Sequence, residues 1–251
     1  MRPNEVDDSP SRHFAGGQSR EDFRAQMLKR IPWWYSPWAH FATTTGIGIV
    51  SVAAAVLAIR ELRLVELLVV PVTFVLSNLN EWHAHRNLLH RRFRPVAVLY
   101  DRHTPEHHRV YRYEDMAIRS VRELRLVLIP AMGVLGLVIT SVPLAVLLAH
   151  LLTPNSGWLF VATVGAYVVS YELTHLSYHL PAGSFIGRRS FVRVMREHHA
   201  RHHDPRLMQR YNFNVTVPLG DWIFGTMAPK ELVEHIQRSP TTNPPVPVSL
   251  S

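Results

Sequence analysis

The 251-residue chain contains no cysteine. It therefore forms no disulfide and binds no metal through thiolate, which excludes disulfide-stabilised domains, thiolate zinc fingers, iron–sulfur clusters and cysteine nucleophiles. Any metal that the chain binds must have nitrogen and oxygen ligands. Charged residues are also scarce, at 18%, whereas hydrophobic residues make up 47% of the chain. A chain of this length has room for one large domain or two small ones.

Lysine is nearly absent as well, because Lys29 and Lys230 are the only two. The net charge of +8 therefore comes almost entirely from arginine. Such an excess is typical either of nucleic-acid-binding proteins or of the cytoplasmic flanks of membrane proteins. The basic residues lie before residue 31, between residues 86 and 125 and after residue 180, next to apolar runs. Since no base-reading module is visible, we predict a membrane protein with no nucleic-acid partner.

Long apolar runs predict about four transmembrane helices. Residues 39–59 carry no formally charged residue and, at about 1.5 Å per residue, can cross a hydrocarbon core of about 30 Å. Residues 64–80 form a shorter second span, and a second hairpin is formed by residues 126–152 and the run after the turn at 153–157. The 126–152 run exceeds one span, so we expect a tilt, a kink or an interfacial piece there. The predicted fold is an all-α integral membrane protein with two helical hairpins.

Histidine is abundant and clustered. Two hairpins return the chain to the side where it began, which places every cluster on one side of the membrane. By the positive-inside tendency this side, with both termini, is predicted to be cytoplasmic, and a helical cap there is predicted to carry a dimetal site. Twelve of the sixteen histidines form four groups: His83, His85 and His90; His103, His107 and His108; His175 and His179; and His198, His199, His202 and His203.

The spacing within these groups favours metal binding, because helical residues three or four apart lie on one face. His85 and His90 are five apart, about 140° around an ideal α-helix, so they either sit across a helix end or reach different metals. The pairs predicted to share an ion are His103 with His107, His175 with His179, and His199 with His202 or His203.

About ten imidazoles suit two metal ions with four to six ligands each, and ligand type alone leaves iron, zinc, copper and nickel open. Nearby carboxylates are predicted to accept hydrogen bonds from the histidines and so to fix their tautomers. These carboxylates are Glu81, Asp101, Glu106, Glu172, Glu197 and Asp204. The isolated histidines are interpreted as surface, interfacial or packing residues: His13, His40, His150 and His235.

Four motifs resemble those of a known family: EWHAHRNLLH at 81–90, HTPEHH at 103–108, YELTHLSYH at 171–179, and HHARHH followed by NFNVTVPLGDWIFGT up to residue 226. In this order, with spans between them, they resemble the motifs of the fatty acid hydroxylase and sterol desaturase superfamily of membrane di-iron oxygenases. Their residues are most similar to those of fatty acid 2-hydroxylase-like members. The resemblance implies ten metal ligands: His85, His90, His103, His107, His108, His175, His179, His199, His202 and His203. It leaves His83 and His198 as neighbours of the ligands.

The sequence departs from the family pattern in two places. Fatty acid 2-hydroxylases have two residues between the first histidine and the pair of the second motif, whereas this chain has three, at 104–106. Gly220 replaces the usual aromatic residue of the last motif. The first departure leaves the subfamily open.

The resemblance also implies the chemistry: two Fe ions, with zinc as a substitute in purified protein, O2, and hydroxylation of an unactivated C–H bond of a fatty acyl or sterol-like lipid. Electrons are expected from a separate cytochrome b5-like or ferredoxin-like donor, since the 38 residues before the first span are too few for a fused cytochrome b5 domain. A lipid desaturase or a carotenoid-ring hydroxylase would use the same site. A non-enzymatic haem- or metal-binding membrane protein and a histidine-metal hydrolase are less favoured.

The domain organisation follows from these assignments. The aromatic segment IPWWYSPW at 31–38 is interpreted as a membrane-interface belt. Residues 1–30 are predicted to be a disordered or interfacial segment, residues 31–230 the membrane hydroxylase domain, with its histidine motifs at 81–108 and 171–203, and residues 231–251 a C-terminal tail.

Overall fold

The computed structural model describes residues 19–238, so the predicted disordered or interfacial segment at 1–30 and the predicted C-terminal tail at 231–251 fall largely outside the described residues. Within that range the protein is helical and has no β-strand. The α-helices are α1 (Arg20–Arg30), α2 (Pro37–Ala58), α3 (Val69–Ala84), α4 (Ala97–Arg102), α5 (His108–Val110), α6 (Leu124–Val127), α7 (Ala131–Leu151), α8 (Pro154–Tyr178), α9 (Ser190–His202), α10 (Leu219–Ile223) and α11 (Lys230–Arg238). Short 3-10 helices cover Leu64–Leu68, Arg94–Val96 and Val121–Glu123, and π turns cover His85–Leu89 and His103–His107.

Four helical stretches are long and apolar enough to cross a membrane: Pro37–Ala58, Leu64–Leu89, Ala131–Leu151 and Pro154–Tyr178. The prediction of an all-α membrane protein with four spans is confirmed. The second span is longer than predicted, because the helix continues from residue 80 to Leu89 and so carries the first histidine motif. The third is shorter, since a break at Pro130 separates α6 from α7 and leaves α6 as the expected additional piece.

The fourth span, α8, is the central helix of the bundle and packs against α2, α3 and α7. Half of its most apolar stretch is buried, against 11 to 22% for the other spans. Its start is fixed by Thr153, whose hydroxyl accepts a hydrogen bond from the backbone N–H of Ser156, with Pro154 in the first turn. The residues predicted as a turn at 153–157 are therefore mostly the first turn of α8. The other three spans turn most of their apolar surface outward, as helices in lipid do.

Helices α2 and α8 cross at two glycines. A Cβ atom added to Gly48 would lie 2.8 Å from the carbonyl oxygen of Gly165, and one added to Gly165 would lie 2.9 Å from the carbonyl oxygen of Gly48. Neither backbone can yield, so only hydrogen fits at either position. Small residues at such crossings let membrane helices approach closely without a hydrophobic driving force.

The two hairpin turns contact each other at the end of the bundle opposite the histidines. The amide of Asn155 donates to the carbonyl oxygen of Arg60 and accepts from its backbone N–H. The carboxylate of Glu66 accepts hydrogen bonds from Thr153 and Asn155. These contacts place both turns at one end, as two hairpins require.

Outside the spans, α1 holds down the connection between the second and third spans. Arg24 on α1 forms a buried ion pair with Glu123 and donates to the carbonyl oxygen of Ala117 at 2.8 Å. The hydroxyl of Tyr111 donates to the same Glu123 carboxylate at 2.9 Å. The segment from residue 111 to residue 126 is thereby fixed against the body of the protein.

We predict that Gly48→Ala destabilises the helix crossing, whereas Gly46→Ala on the same helix does not. An added methyl group at Gly48 would clash with backbone atoms at the crossing and lower the free energy of unfolding by about 1–3 kcal/mol. A Cβ atom at Gly46 would have nothing within 4 Å. Alanine at Gly46 gains up to about 1 kcal/mol in helix propensity. Thermal unfolding in a neutral detergent, followed by circular dichroism, measures both variants. Equal melting temperatures for the two variants would contradict the proposed crossing.

Candidate metal centre

The four histidine motifs converge at one end of the spans into two buried groups. The five-histidine group consists of His85, His90, His103, His108 and His202, and the four-histidine group of His107, His179, His199 and His203. Within each group one nitrogen from every ring lies within 4.8 Å of the others. Nine of the ten residues named from the sequence as ligands therefore come together in the structure.

The tenth, His175, lies beside the four-histidine group. Its ring centroid is 5.0 Å from that of His107 and 4.9 Å from those of His179 and His199. It is buried, and its Nε2 atom has no hydrogen-bond partner among the described residues. The structure thus places all ten side chains at one centre, and their ligation of metal stays a prediction.

Two π turns explain how residues five apart face the same group. A π turn closes its hydrogen bond between residues five apart, so such residues align along the helix. The first π turn lies between His85 and His90, and in the second the N–H of His108 donates to the carbonyl oxygen of His103. His85 and His90 therefore sit across a helix end, the first of the two alternatives drawn from the sequence.

The second π turn also overturns one predicted pair. His103 and His107 stack with ring centroids 5.3 Å apart, yet His103 belongs to the five-histidine group and His107 to the four-histidine group. The α-helical spacing used for the prediction does not apply within a π turn.

The last motif likewise contributes histidines to both groups. His199 on α9 and His203, which directly follows the helix, share the four-histidine group, as predicted for one of the two alternative pairs, whereas His202 belongs to the five-histidine group. The rings of His108 and His203 stack across the boundary, with centroids 4.2 Å apart. The two groups are therefore immediate neighbours, an arrangement suited to a pair of ions.

Backbone carbonyl oxygens fix the tautomers of five histidines. A Nδ1–H that donates to a carbonyl leaves the lone pair of Nε2 free to bind a metal. For His90 the acceptor is the hydroxyl oxygen of Thr104, at 3.2 Å, whose own proton goes to the carbonyl oxygen of Leu89. The five carbonyl contacts are His85 to Phe213, His107 to Leu126 (2.8 Å), His179 to Met116 (2.7 Å), His202 to Tyr211 (2.9 Å) and His203 to Tyr111 (2.8 Å).

The prediction that carboxylates fix these tautomers is therefore wrong. Five of the six predicted carboxylates, all except Glu106, bond elsewhere: Asp101 with Arg92, Asp204 with Arg206, Glu197 with Tyr113 and Arg201, Glu172 with the N–H of Ile129, and Glu81 with the N–H groups of Val215 and Thr216. His198 contacts Asp221 at 3.1 Å, and the exposed His83 contacts Asn87. Both lie outside the two groups, as the family resemblance implied.

The free nitrogens face one another. Four Nε2–Nε2 distances are short: His85 to His103 (2.9 Å), His90 to His202 (2.9 Å), His103 to His108 (3.0 Å) and His199 to His203 (3.1 Å). Lone pairs that face each other at this range repel, whereas nitrogens bound to one ion at about 2.0–2.1 Å are neighbours at similar range. The Nε2 atoms of His107 and His179, like that of His175, are buried without a described partner. The residues present thus fit a nitrogen-ligated metal pair.

Burial also keeps the rings neutral. Outside the spans, desolvation lowers the pKa of eight histidines below the ordinary value of 6.5, and the charges of neighbouring histidines lower it further. Metal binding requires neutral imidazole, so the site is prepared for metal at pH 7. The eight are His90, His103, His107, His108, His179, His199, His202 and His203.

Asp221 holds the loop that serves the five-histidine group, a role that was not predicted from the sequence. Its carboxylate accepts the N–H groups of Phe213 and Asn214, both at 2.8 Å, and the hydroxyl of Thr226 at 2.7 Å, besides its contact with His198. The carbonyl oxygen of Phe213 is the acceptor for Nδ1 of His85. Asp221 therefore acts through this loop on the orientation of that ring.

An apolar cavity of about 570 Å³ leads away from the histidines into the membrane-spanning bundle. At one end it is lined by His85, His103, His107 and His175, and its walls come largely from α3, α7 and α8. On α7 the lining extends from Gly133 to Leu144, about 16 Å along the helix axis. A second cavity, towards the far turns, shares Leu76, Leu144 and Phe160 with the first.

The metal-free protein is predicted to lose stability as the pH falls below 6.5. The unfolded chain binds protons at its histidines below that value, while the folded chain, whose histidine pKa values are depressed, does not. Each such histidine removes up to about 1.4 kcal/mol of stability per pH unit. Thermal unfolding of chelator-treated protein at pH 7.5 and pH 5.5 measures the effect. A melting temperature that does not fall at pH 5.5 would show that the rings are not buried.

Asp221→Asn is predicted to weaken metal binding at the five-histidine group about 10- to 100-fold. The side-chain NH2 of the new asparagine would face a backbone N–H, with which it forms no hydrogen bond, so the Phe213 loop would be released. Elemental analysis after equilibrium dialysis against limiting metal measures the effect. Asp101→Asn, which alters an exposed ion pair with Arg92, is the control and should keep wild-type metal content. Equal metal retention by both variants would remove Asp221 from this role.

Comparison with known proteins gives one family match. The family model described as fatty acid hydroxylase matches residues 70–226, more than half of the chain. The matched region contains all ten histidines of the centre and Asp221. Searches of curated proteins and of solved structures each find no match. The chain, with its four spans and its buried histidine centre, belongs to the fatty acid hydroxylase family of the fatty acid hydroxylase and sterol desaturase superfamily.

Proposed function

We propose that this protein is a di-iron membrane oxygenase that hydroxylates an unactivated C–H bond of a lipid. The observation that carries the proposal is the apolar cavity that ends on histidines of both groups. Family membership supports oxygenase chemistry, and the family is typically iron-dependent. Zinc in purified protein would be a substitute, because imidazole binds both metals.

Ten imidazoles are the groups that would hold the irons: the two groups and His175. Iron would supply the activation of O2, because an apolar C–H bond offers no group for acid–base attack. The protein's own contribution is to present neutral, oriented nitrogens and to exclude water. The carbonyl contacts at Nδ1 provide the orientation, and the burial of the rings provides the exclusion.

The overall reaction defines the other reactants. One oxygen atom of O2 enters a C–H bond to give an alcohol, and the other leaves as water. The balance requires two electrons and two protons in addition to O2. We propose that a separate cytochrome b5-like or ferredoxin-like protein supplies the electrons.

The cavity is suited to a single lipid chain. Its length of about 16 Å along α7 is similar to half of the hydrocarbon core of about 30 Å. Its walls include Leu137, Val164 and Val168 from α7 and α8. A chain held there would present one end to the histidines and the other towards Phe160.

We also propose that the histidine centre faces the cytoplasm. The support is the charge distribution: arginine and lysine are concentrated on the segments at the histidine end, whereas the two far turns contain only Arg60 and Arg63. A cytoplasmic site would be within reach of soluble or membrane-anchored electron donors.

The test compares cells that express the wild type, His107→Ala and His83→Ala, grown under 18O2. Mass spectrometry of the lipid extracts is expected to show an 18O-labelled hydroxylated lipid in the wild type, reduced about 100-fold or more in His107→Ala because a ligand is lost. His83 is exposed and lies outside both groups, so His83→Ala should retain the product.

Each alternative has its own signature in this experiment. A product two hydrogens lighter and without 18O would identify a desaturase. A product that survives in His107→Ala would defeat the catalytic assignment of the histidine centre.

A further inference from the structure

One guanidinium lies in the wall of the cavity, whose lining is largely apolar and also contains the carboxylate of Glu81. Among the described residues that line it, Arg102 is the only arginine or lysine. It directly precedes His103, which lines the same cavity and belongs to the five-histidine group. A lone cation in an apolar wall requires an explanation, because burying an unpaired charge is unfavourable.

Arg102 has no acidic partner in the described part of the chain. Its Nη2 donates to the carbonyl oxygen of Arg125, and no carboxylate within residues 19–238 forms an ion pair with either arginine. The nearest acidic groups, Glu106 and Glu172, act on Arg102 only through space. Nη1 of Arg125 is buried and has no hydrogen-bond partner among the described residues. The two guanidinium groups thus lack a direct ion-pair partner among the described residues.

The guanidinium of Arg102 stays charged at pH 7. Burial, followed by the charge of Arg125, lowers the pKa of Arg102 to about 10, which is still well above neutrality. The proximity of a second cation makes the site more positive and favours an anion there. Arginine suits such an anion, because its planar fork binds carboxylate and phosphate oxygens in pairs.

The arginines lie at the depth of lipid head groups. Arg122, near Arg125, donates to the carbonyl oxygens of Ile31 and Pro32 at 3.2 Å each, just before α2 enters the membrane. Trp33 and Trp34 follow directly and are 89% and 70% exposed, as tryptophans at a membrane interface are. A lipid whose chain occupies the cavity would therefore have its head group at this level.

We propose that Arg102 and Arg125 bind the anionic head group, a carboxylate or phosphate, of the lipid whose chain fills the cavity. This inference rests on the proposed function, because it identifies the substrate class of that site. Since Arg102 adjoins His103, the bound lipid would present carbons near its head group, rather than its chain terminus, to the histidine centre. The chain terminus would then point towards Leu144 and Phe160.

The test measures binding of a fluorescent C18 polyene fatty acid and of its methyl ester to the full-length protein in a neutral maltoside detergent. The wild type is expected to bind the acid at least about tenfold more tightly than the ester, as a charge-assisted hydrogen bond provides. In Arg102→Gln this preference should fall to nearly one through weaker binding of the acid alone. Arg102→Lys should restore part of it.

Arg94→Gln is the matched control, because Arg94 is exposed and does not line the cavity. Metal content, measured on each variant, should be unchanged if the variants fold and leave the neighbouring histidine intact. Reduced metal in both Arg102 variants, with no change in the acid-to-ester ratio, would overturn the inference and assign Arg102 to the metal centre alone.

The remaining outcomes separate this inference from the proposed function. Wild-type protein that binds neither probe would defeat the lipid cavity itself. Equal binding of acid and ester by the wild type would overturn the anion site and leave the lipid cavity standing. Displacement of the acid probe by phosphatidylglycerol at a much lower concentration than by an unlabelled free fatty acid would support the anion site and assign it to phospholipid phosphate.

Discussion

The metal centre depends on the hydrogen bonds that histidine Nδ1 atoms donate to backbone carbonyl oxygens. Two segments supply these carbonyls: residues 111–126 for three histidines of the four-histidine group, and residues 211–213 for two of the five-histidine group. Each segment is held by one buried carboxylate, Glu123 through its ion pair with Arg24 and Asp221 through backbone N–H groups. The orientation of the rings is thus transmitted from carboxylates that contact none of the ten histidines.

The membrane bundle and the cap need each other because the histidines come from both. His85 and His175 lie near the ends of spans, whereas His107 and His203 belong to the cap. The close glycine crossing of α2 and α8 fixes the fourth span, and the far turns tie the hairpins together at the other end. The ends of the spans can therefore hold their histidine rings in a fixed position relative to those of the cap, although the cap has little regular structure between its short helices.

Much of the fold and the membership of the centre could be predicted from the sequence, because both depend on residue type. Apolar length indicated four spans, and the clustering of histidines indicated twelve candidates, of which the family resemblance implied the ten that converge. The division into groups could not be predicted, since π turns have no composition signature and change which spacing aligns. The carbonyl partners were missed for a similar reason: every residue has a carbonyl, so none stands out. Asp221 lies inside a recognisable motif, but its role depends on a loop that only the folded chain forms.

The same features that prepare the site for metal make the metal-free protein less stable. Five of the neutral rings have their Nδ1 hydrogen-bonded to a carbonyl, which leaves the Nε2 of each as a buried acceptor. A buried polar atom without a partner costs about 1–3 kcal/mol, and the centre collects several of them, including those of His107, His175 and His179. Metal ions remove this penalty and bind only the folded arrangement, so occupancy and folding are thermodynamically coupled.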